Sequence, residues 1–412
     1  MDTSREFDIL IFGATGFTGH QASLYFAEHV PLDSTRWALA GRNLKKLQER
    51  RAELIEAFPD RPELSQLPLV VADAHDLPSL REMCARTRVV LTTAGPFSMY
   101  GENLVRICIE SGCDYVDITG ETPWVRHLID TYHARAVRQG VRIINFCGVD
   151  SIPSDMMTLF LAREVQKHLD EDLISLKGYF QLRGGFNGGT IASMFHMAET
   201  GALAEVSQPF LLNPGEERLK RFPKDPVGIA WDKDWWAWTT PFIMAPINTR
   251  VVRRSEVLYR HEDDPYGPNF SYQEYAWCDE VLPTKALTLS GIQLMISELM
   301  QIPGVVKAAK DKGPQPGEGP SQQAMDEGYL SVWFKGVTAS GQKIKARFFS
   351  QGDPANRTTV KLLSESALML VHNRDELPEE FEGGILTPAT GLGLGLMNRL
   401  QTAGIKVDWE LF

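Results

Sequence analysis

Residues 8–29 read DILIFGATGFTGHQASLYFAEH and decide the fold of this chain. Asp8 to Phe12 predict a short buried strand, and Phe17 to His29 predict a helix. The turn that joins them contains three glycines, Gly13, Gly16 and Gly19. A strand, a glycine-rich turn and a helix in this order are typical of a dinucleotide-binding unit.

The three glycines of this turn have different physical roles. Gly13 can adopt backbone angles that a side chain would forbid. Gly16 lets the main chain approach a pyrophosphate, and Gly19 lets the helix pack closely on the strand. The spacing G-x-x-G-x-x-G is a variant of the usual fingerprint, so a turn without a ligand is the alternative. We expect the whole turn to bind the phosphates: Gly13, Ala14, Thr15, Gly16, Phe17, Thr18 and Gly19.

The end of the second predicted strand indicates which dinucleotide binds. Arg36 to Ala40 form this strand, and Gly41 and Arg42 follow it. An NAD site expects an acidic residue at this place, to bind the ribose 2′-hydroxyl. A guanidinium instead binds a 2′-phosphate with paired hydrogen bonds. The sequence therefore predicts NADP(H), with Arg42 as a helix cap or a solvent-exposed residue as the alternative.

The first 150 residues alternate between strands and helices. Four further strands are predicted at Leu69–Ala72, Val89–Thr93, Tyr115–Ile118 and Val141–Phe146. Helical patterns separate them at Leu44–Ala57, Leu77–Arg86, Glu102–Ser111 and Pro123–Gln139. This alternation predicts an α/β fold with a Rossmann-type, doubly wound parallel sheet.

Further cofactor contacts are expected where these strands end, because ligands bind parallel sheets at the carboxyl ends of their strands. The turn after the fourth strand is expected beside the nicotinamide and its ribose, and Asp73 near the adenine. The alternatives are core packing for Phe97 and a helix N-cap or exposed turn residue for Asp73. These additional candidates are Asp73, Thr93, Ala94, Gly95, Pro96, Phe97 and Gly148.

The second part of the chain has a different pattern. Ser154 to Lys167 predict a helix, and β-rich stretches follow from Leu173 onward, at 175–183, 248–260, 269–277, 329–339, 342–352 and 357–366. They predict an α+β domain built on a largely antiparallel sheet, interrupted by helices at Thr190–Ala204 and Ala286–Met300. We expect a nucleotide domain at 1–150, a substrate and dimerisation domain at 151–386, and a C-terminal helix at 387–412 that returns to the nucleotide domain.

Composition narrows the class of protein. The 412 residues are 43% hydrophobic and 23% charged, which suits a folded soluble protein. The formal net charge of −11 disfavours nucleic acid as a partner. Five cysteines without a C-x-x-C pair indicate reduced thiols and no zinc site. Acidic and basic residues open the chain in place of a signal peptide, so we expect a cytoplasmic protein.

Candidate catalytic residues are less specific. Tyr100 follows the fourth-strand turn, Asp150 follows the sixth strand, and His196 lies on a helix of the second domain. Each could donate a proton. The alternative for Asp150 is a cap on the helix that begins near Pro153, and the alternative for His196 is a satisfied structural histidine. Cys147 is interpreted as a packed thiol, and no residue set predicts a metal site.

Two apolar stretches are candidates for contact with a lipid. Four tryptophans lie within residues 231–238, and residues 286–306 contain a single acidic residue, Glu298. They suit an acyl chain or peripheral contact with a membrane, and a dimer helix with a tryptophan-rich core is the alternative. An acyl carrier protein is acidic and would bind a basic patch, for which the candidates are Arg250, Arg253 and Arg254. The alternative is that these arginines form an ordinary solvated strand face.

Several strings occur together in one order: GATGFTG, ALAGR, TTAGPFSMYG, DYVDITGE, NFCGVDSIPSD, RGGFNGGTIAS and GGILTPATGLGLGLMNRLQTAGI. With them the chain resembles the saccharopine dehydrogenase-like oxidoreductases from about residue 6 to about residue 405. Within that family it is most similar to the trans-acting enoyl reductases of mycobacterial glycolipid assembly. The resemblance implies a Rossmann domain, NADP(H), and reduction of a double bond in a lipid or polyketide-type acyl chain.

One departure from the family pattern separates the hypotheses. Saccharopine-reducing enzymes have a Gly-x-Asp-Pro-Gly turn after the sixth strand, whereas this chain has Gly148-Val149-Asp150-Ser151-Ile152-Pro153. The leading hypothesis is an NADPH-dependent reductase of an acyl thioester. A sensor or lipid-surface scaffold that binds NADP(H) without turnover and a saccharopine-type amino-acid dehydrogenase remain as alternatives.

Overall fold

The computed structural model describes residues 5–185, 188–216, 225–278, 282–299 and 319–411, which contain two seven-stranded sheets. In chain order the strands are β1 Phe7–Phe12, β2 Trp37–Gly41, β3 Leu69–Val71, β4 Thr87–Thr92, β5 Asp114–Asp117, β6 Arg142–Ile144, β7 Leu173–Arg183, β8 Ala230–Asp232, β9 Ala237–Pro241, β10 Ser271–Cys278, β11 Tyr329–Thr338, β12 Lys343–Gln351, β13 Gly384–Leu386 and β14 Lys406–Leu411.

Helices occupy most of the remaining described chain. They are α1 Phe17–His29, α2 Leu44–Ala57, α3 Leu77–Ala85, α4 Phe97–Ser111, α5 Thr122–Gln139, α6 Ile152–Leu169, α7 Gly188–Thr200, α8 Leu203–Val206, α9 Ala245–His261, α10 Thr284–Leu299, α11 Gln322–Asp326, α12 Thr359–His372, α13 Pro388–Leu392 and α14 Gly395–Thr402. The predicted fold class, α/β with a Rossmann-type sheet and a second α+β part, is confirmed.

The first sheet has the order β13-β6-β5-β4-β1-β2-β3, and all its strand pairs are parallel. β1 lies between β2 and β4, so the chain crosses from one side of the sheet to the other after β3. Such a crossover opens a crevice at the carboxyl ends of the central strands, where a ligand binds. Every residue of β1 is buried, as expected for a strand covered on both faces.

The second sheet has the order β14-β12-β11-β7-β10-β9-β8. Only the pair of β7 and β10 is parallel, and the five other pairs are antiparallel. One face of this sheet packs against α6 and α9, with Leu176, Phe180 and Phe334 buried in the shared core. The other face carries partly exposed aromatic and basic side chains.

Two stretches predicted as strands are helices in the structure. Residues 248–260 belong to α9, and residues 357–366 run from a π-helical turn into α12. Both helices are buried on nearly all sides, so their apolar residues do not follow the one-sided helical period. Their valines and threonines then favoured a strand by composition alone.

The C-terminal segment contributes to both sheets. β13 pairs with β6 of the first sheet, and β14 pairs with β12 of the second. One helix was predicted from Thr387 to about Ala403, but the structure has two, because Gly393 adopts a positive φ of 64° between them. The predicted domain boundaries stay a prediction.

Candidate functional site

The glycine turn between β1 and α1 has the conformation that the sequence predicts. Gly13 adopts a φ of 88°, which disfavours any side chain, and its N–H donates to the carbonyl of Ala40 at 3.0 Å. The N–H of Ala14 donates to the same carbonyl at 3.2 Å. These two bonds fix the turn against the end of β2, so the start of α1 has a defined direction.

Gly19 and Thr93 fill the inside of this turn. A β-carbon at position 19 would lie 2.7 Å from the carbonyl carbon of Gly13 and 2.8 Å from the hydroxyl oxygen of Thr93. Only a glycine therefore lets α1, β1 and the end of β4 meet this closely. The Thr93 hydroxyl packs against the turn, which makes this residue a support for the nucleotide turn.

The outer side of the turn suits a pyrophosphate. A β-carbon at Gly16 would meet only the carbonyl oxygen of Gly13, at 3.4 Å, so the space beyond Gly16 is open. The N–H groups in the first turn of a helix have no intrahelical acceptor and attract anions. Phe17 begins α1 and packs against Gly319 so closely that a β-carbon at 319 would clash with its ring. The cradle therefore fits the diphosphate of a dinucleotide.

Arg42 lies at the end of β2, where the 2′-phosphate is expected. Its side chain is exposed and forms no ion pair or hydrogen bond with a residue that the structure describes. Asn43, not Arg42, caps α2, because its side chain accepts the N–H of Lys46 at 3.1 Å. The guanidinium of Arg42 is therefore available for an anionic ligand.

The turn after β4 is held by a carboxylate that the sequence analysis did not single out. Glu121 is buried and accepts the N–H of Phe97 at 2.7 Å and the N–H of Ser98 at 3.0 Å. α4 therefore begins at Phe97, five residues before its predicted start. The ring of Phe97 stacks on Trp124 and borders Gly95.

Asp117 joins the ends of β5 and β6. Its carboxylate accepts hydrogen bonds from Tyr115, Thr119, Asn145 and Phe146 at distances between 2.8 and 3.3 Å. Burial raises the pKa of Asp117 to about 6 despite these donors. Acidic residues at the end of a predicted buried strand were the signal that could have identified both Asp117 and Glu121.

Asp150 lies in the crevice after β6. Its Oδ2 is 3.6 Å from the position that a β-carbon at Gly120 would occupy, and Ile247 of α9 contacts the same position. The side chain is half-buried, and it forms no hydrogen bond within the described part of the chain. Burial raises the pKa of Asp150 to about 6. The predicted capping role for this residue is not seen, since the first turn of α6 has no side-chain cap.

The residues next to Asp150 are packed in the core. A β-carbon at Gly148 would lie 3.3 Å from Thr359 and 3.4 Å from Ile118, so Gly148 is needed for close packing. Cys147 is buried, and burial raises the pKa of its thiol well above the usual range. Burial therefore favours the protonated thiol over the reactive thiolate, in line with the interpretation of Cys147 as a packed thiol.

Tyr100 and Asp73 lie together toward β3. The ring of Tyr100 is 5.4 Å from that of His75, and Asp73 accepts the N–H of His75 at 2.9 Å. Asp73 therefore has the turn-forming contact that was its alternative reading. The contacts of Tyr100 are with the β3 side of the sheet, and none joins it to Asp150 within the described residues.

The helix α7 brings the second part of the chain to the turn after β4. The hydroxyl oxygen of Ser193 lies 3.7 Å from the position that a β-carbon at Gly95 would occupy. His196 lies three residues later, on the same side of the helix, and is partly exposed. Asn187, which has glycine pairs before and after it in the sequence, lies outside the described residues. α7 thus covers the expected nicotinamide side of the crevice.

The predicted basic patch at three arginines is wrong. Arg250 and Arg253 are fully buried in α9, and Arg254 is 7% exposed. Arg250 donates to the carbonyls of Ser207 and Gln208 and to the carboxylate of Asp225. These arginines hold a loop against α9 and present no basic surface, because each lies on the core side of a helix taken for a strand.

The two apolar stretches at residues 231–238 and 286–306 are partly exposed and partly packed where the structure describes them. Trp236 is 78% exposed, and α10 exposes several leucines, whereas Trp235 packs against Trp277 and Trp333. The part of the stretch beyond residue 299 and most of the Pro/Gly-rich segment 313–320 lie outside the described residues. No described helix is long and apolar enough to cross a membrane. No group of three metal-ligating side chains is assembled within the described residues.

Comparison with known proteins establishes the family. A family model of the saccharopine dehydrogenase NADP binding domain matches residues 9–144. A Mycobacterium tuberculosis protein provisionally named a trans-acting enoyl reductase is 35% identical over 434 residues, which cover 98% of this chain and 98% of that protein. The chain belongs to the saccharopine dehydrogenase-like oxidoreductase family. A trans-acting enoyl reductase of Mycobacterium ulcerans is also similar, at 34% identity over 98% of each chain.

A solved structure extends the likeness of fold over the chain. Apo saccharopine dehydrogenase (L-Glu forming) of Saccharomyces cerevisiae has a TM-score of 0.54 and 14% identity, covering 98% of this chain and 100% of that chain. Membership of the family makes this chain an NADP(H)-dependent oxidoreductase. The open glycine turn and the available Arg42 are consistent with that cofactor.

Proposed function

We propose that this oxidoreductase reduces the α,β-double bond of an acyl thioester, with Asp150 as the proton donor. The position of Asp150 is the observation that supports this proposal most. Its carboxyl group faces Gly120 at the carboxyl edge of the first sheet, and it forms no hydrogen bond with a residue that the structure describes. Relatives named trans-acting enoyl reductases support the acyl class of substrate.

The chemistry of an enoyl reduction fits this residue. NADPH, when bound, supplies the hydride, and the acceptor then needs a proton at its α-carbon. Burial raises the pKa of Asp150 to about 6, so a fraction of the molecules carries the proton near neutral pH and can release it to the substrate. Ile247 and the half-buried position of Asp150 limit water around that proton.

Neighbouring residues have positioning roles in this proposal. Glu121 holds the Phe97 end of the turn after β4, and Ser193 lies beside Gly95 from the other side. The nucleotide turn, Arg42 and the residues 93–97 bind and orient the cofactor. His196, on the same side of α7 as Ser193, remains a second candidate for contact with the substrate.

An activity assay of Asp150→Asn tests the proposal. We expect kcat/KM with an enoyl thioester to fall by about 100-fold or more, the usual contribution of a general acid, while the Kd for NADPH is unchanged. In the native enzyme kcat/KM should decrease as the pH rises above about 6, because Asp150 loses its proton, and the variant should lack this decrease. Retained activity with an unchanged pH profile would refute the assignment.

Controls separate this function from its two alternatives. Asp170→Asn, at the exposed end of α6, should behave as the native protein. Tight NADPH binding without turnover on a panel of enoyl thioesters would favour a sensor or scaffold. Turnover with glutamate and an α-aminoadipate semialdehyde analogue, and none with thioesters, would favour a saccharopine-type dehydrogenase.

A further inference from the structure

The face of the second sheet that points away from α6 and α9 is rich in aromatic and basic residues. We call it the aromatic–cation face and define it by five side chains: Lys177, Trp333, Lys335, Lys345 and Arg347. They alternate along β7, β11 and β12 with buried residues such as Leu176 and Phe334, and so lie on the outer side of these strands.

Three lysines of this face are direct neighbours across the strands. Lys335 pairs in register with Lys177 on β7 and with Lys345 on β12. Like charges directly opposite each other destabilise a sheet. Asp234 forms ion pairs with Lys335 and Lys343, and Glu410 is 3.7 Å from Lys345, which leaves Lys177 without an ion pair within the described residues. Among the residues that the structure describes, the lysine row therefore lacks full compensation.

Aromatic rings lie between these cations. Lys345 and Arg347 are each 4.9 Å from the centre of the Trp333 ring, and Lys177 is 5.8 Å from that of Tyr275. Tyr179 pairs in register with Trp333 across β11 and β7, and it is buried against Trp235. Tryptophan and arginine on a partly exposed surface are typical of the energetic centre of a protein interface.

We propose that the aromatic–cation face docks an acidic carrier protein that presents the acyl substrate. The carboxylates of such a partner would compensate the lysine row, which is a match of charge. A two-fold pairing of this face would instead bring lysine rows at the sheet centre against each other. The chain has a net charge of −11, which repels extended polyanions such as an anionic membrane or nucleic acid, whereas a compact acidic domain contacts only this face.

The face is continuous with the crevice. β7 crosses the face and ends at Arg183, and the chain then continues through Gly184 and Gly185 toward α7. α7 carries Ser193, which lies beside Gly95. A carrier bound on this face is therefore connected, through one strand and one helix, to the site of the proposed reduction. This inference rests on the function proposed above.

The test compares two double variants with equal changes in charge. Lys177→Glu with Lys345→Glu alters the face, and Arg138→Glu with Lys167→Glu alters exposed residues at the ends of α5 and α6. The probe is a purified acidic acyl carrier domain loaded with an enoyl chain, and the readouts are tryptophan fluorescence on titration and NADPH oxidation. We expect the face variant to bind the carrier about tenfold more weakly, with a binding that declines with added salt.

A small enoyl thioester in solution separates the two proposals. The face variant should reduce it as fast as the native protein does, while KM for the carrier-bound chain rises. No reduction of either substrate by the native protein would refute the enoyl reductase function itself. The docking proposal would be overturned by equal carrier binding in both double variants or by binding only to phosphatidylglycerol vesicles. A smaller mass by light scattering for the face variant than for the native protein would also overturn it, because the face would then join two copies of the chain.

Discussion

The carboxylate of Glu121 accepts the backbone N–H of Phe97 at 2.7 Å, and this bond joins the end of β5 to the first turn of α4. The same carboxylate accepts the N–H of Ser98 at 3.0 Å. A negative charge at a helix start stabilises both the unpaired N–H groups and the helix dipole. Glu121 therefore determines where the turn after β4 lies relative to the cofactor crevice.

Replacement of Glu121 by alanine should weaken both folding and cofactor binding. We expect the free energy of unfolding in urea to fall by about 1–3 kcal/mol, because two buried N–H groups lose their acceptor. NADPH affinity, measured by fluorescence titration, should fall about tenfold as the turn moves. Glu102→Ala on α4 is the control. Because the Glu102 carboxylate is 45% exposed, this variant should change the free energy of unfolding by about 1 kcal/mol or less.

Gly19→Ala should disrupt the nucleotide turn. The added methyl would lie 2.7 Å from the Gly13 carbonyl carbon, so the backbone must shift, at a cost of about 1–3 kcal/mol. NADPH binding by calorimetry should be strongly reduced. Gly291→Ala on α10 meets no atom within 4 Å and should stabilise the protein slightly through helix propensity. Native-like NADPH affinity in Gly19→Ala would contradict the close packing described here.

Arg42→Ala should change the choice between cofactors. We expect the Kd for NADPH to rise about 10- to 100-fold, because a charge-assisted contact with the 2′-phosphate is lost, and the Kd for NADH to stay the same. Lys45→Ala, one turn away in α2, should leave both constants unchanged. Equal losses for NADPH and NADH in Arg42→Ala would show that this side chain does not distinguish them.

The raised pKa of Asp155 leads us to expect that the protein loses stability as the pH rises. Its buried carboxyl accepts hydrogen bonds from Ser255 and from the N–H of Ala389, and burial raises its pKa from 3.8 to about 7. The folded protein therefore binds this proton more tightly than the unfolded chain does. The stabilisation that results is complete below about pH 4 and is lost as the pH rises toward 7.

Asp155→Asn should remove this dependence. The amide stays neutral, and the Ser255 hydroxyl can turn to accept from it, so the variant should exceed the native protein at pH 8 by about 1–3 kcal/mol in free energy of unfolding. Near pH 4 the two should be nearly equal in urea unfolding, and the difference should grow as the pH rises toward 7. Asp60→Asn, at an exposed position, serves as the control. A difference of the same size at both pH values would rule out titration of Asp155 as the cause.

Much of the fold could be predicted from local patterns. α1 and α2 have the predicted bounds, and the first six strands lie within three residues of their predicted ends. Each of these elements has a period or a breaker in its own residues, such as Gly13 before α1. α9 and α12 were missed, because a helix that is buried on all sides has no polar face to reveal its period.

For the candidate site, too, local features could be predicted from the sequence and long-range contacts could not. By itself the sequence determined the α/β class, the nucleotide turn and the family, since these depend on main-chain conformation and on residues that are close along the chain. Only the tertiary structure decided that Glu121 supports Phe97, that Arg250 is buried, and that Asp150 faces Gly120. Burial, partners and pKa values come from residues far apart in the chain, which only the folded protein brings together.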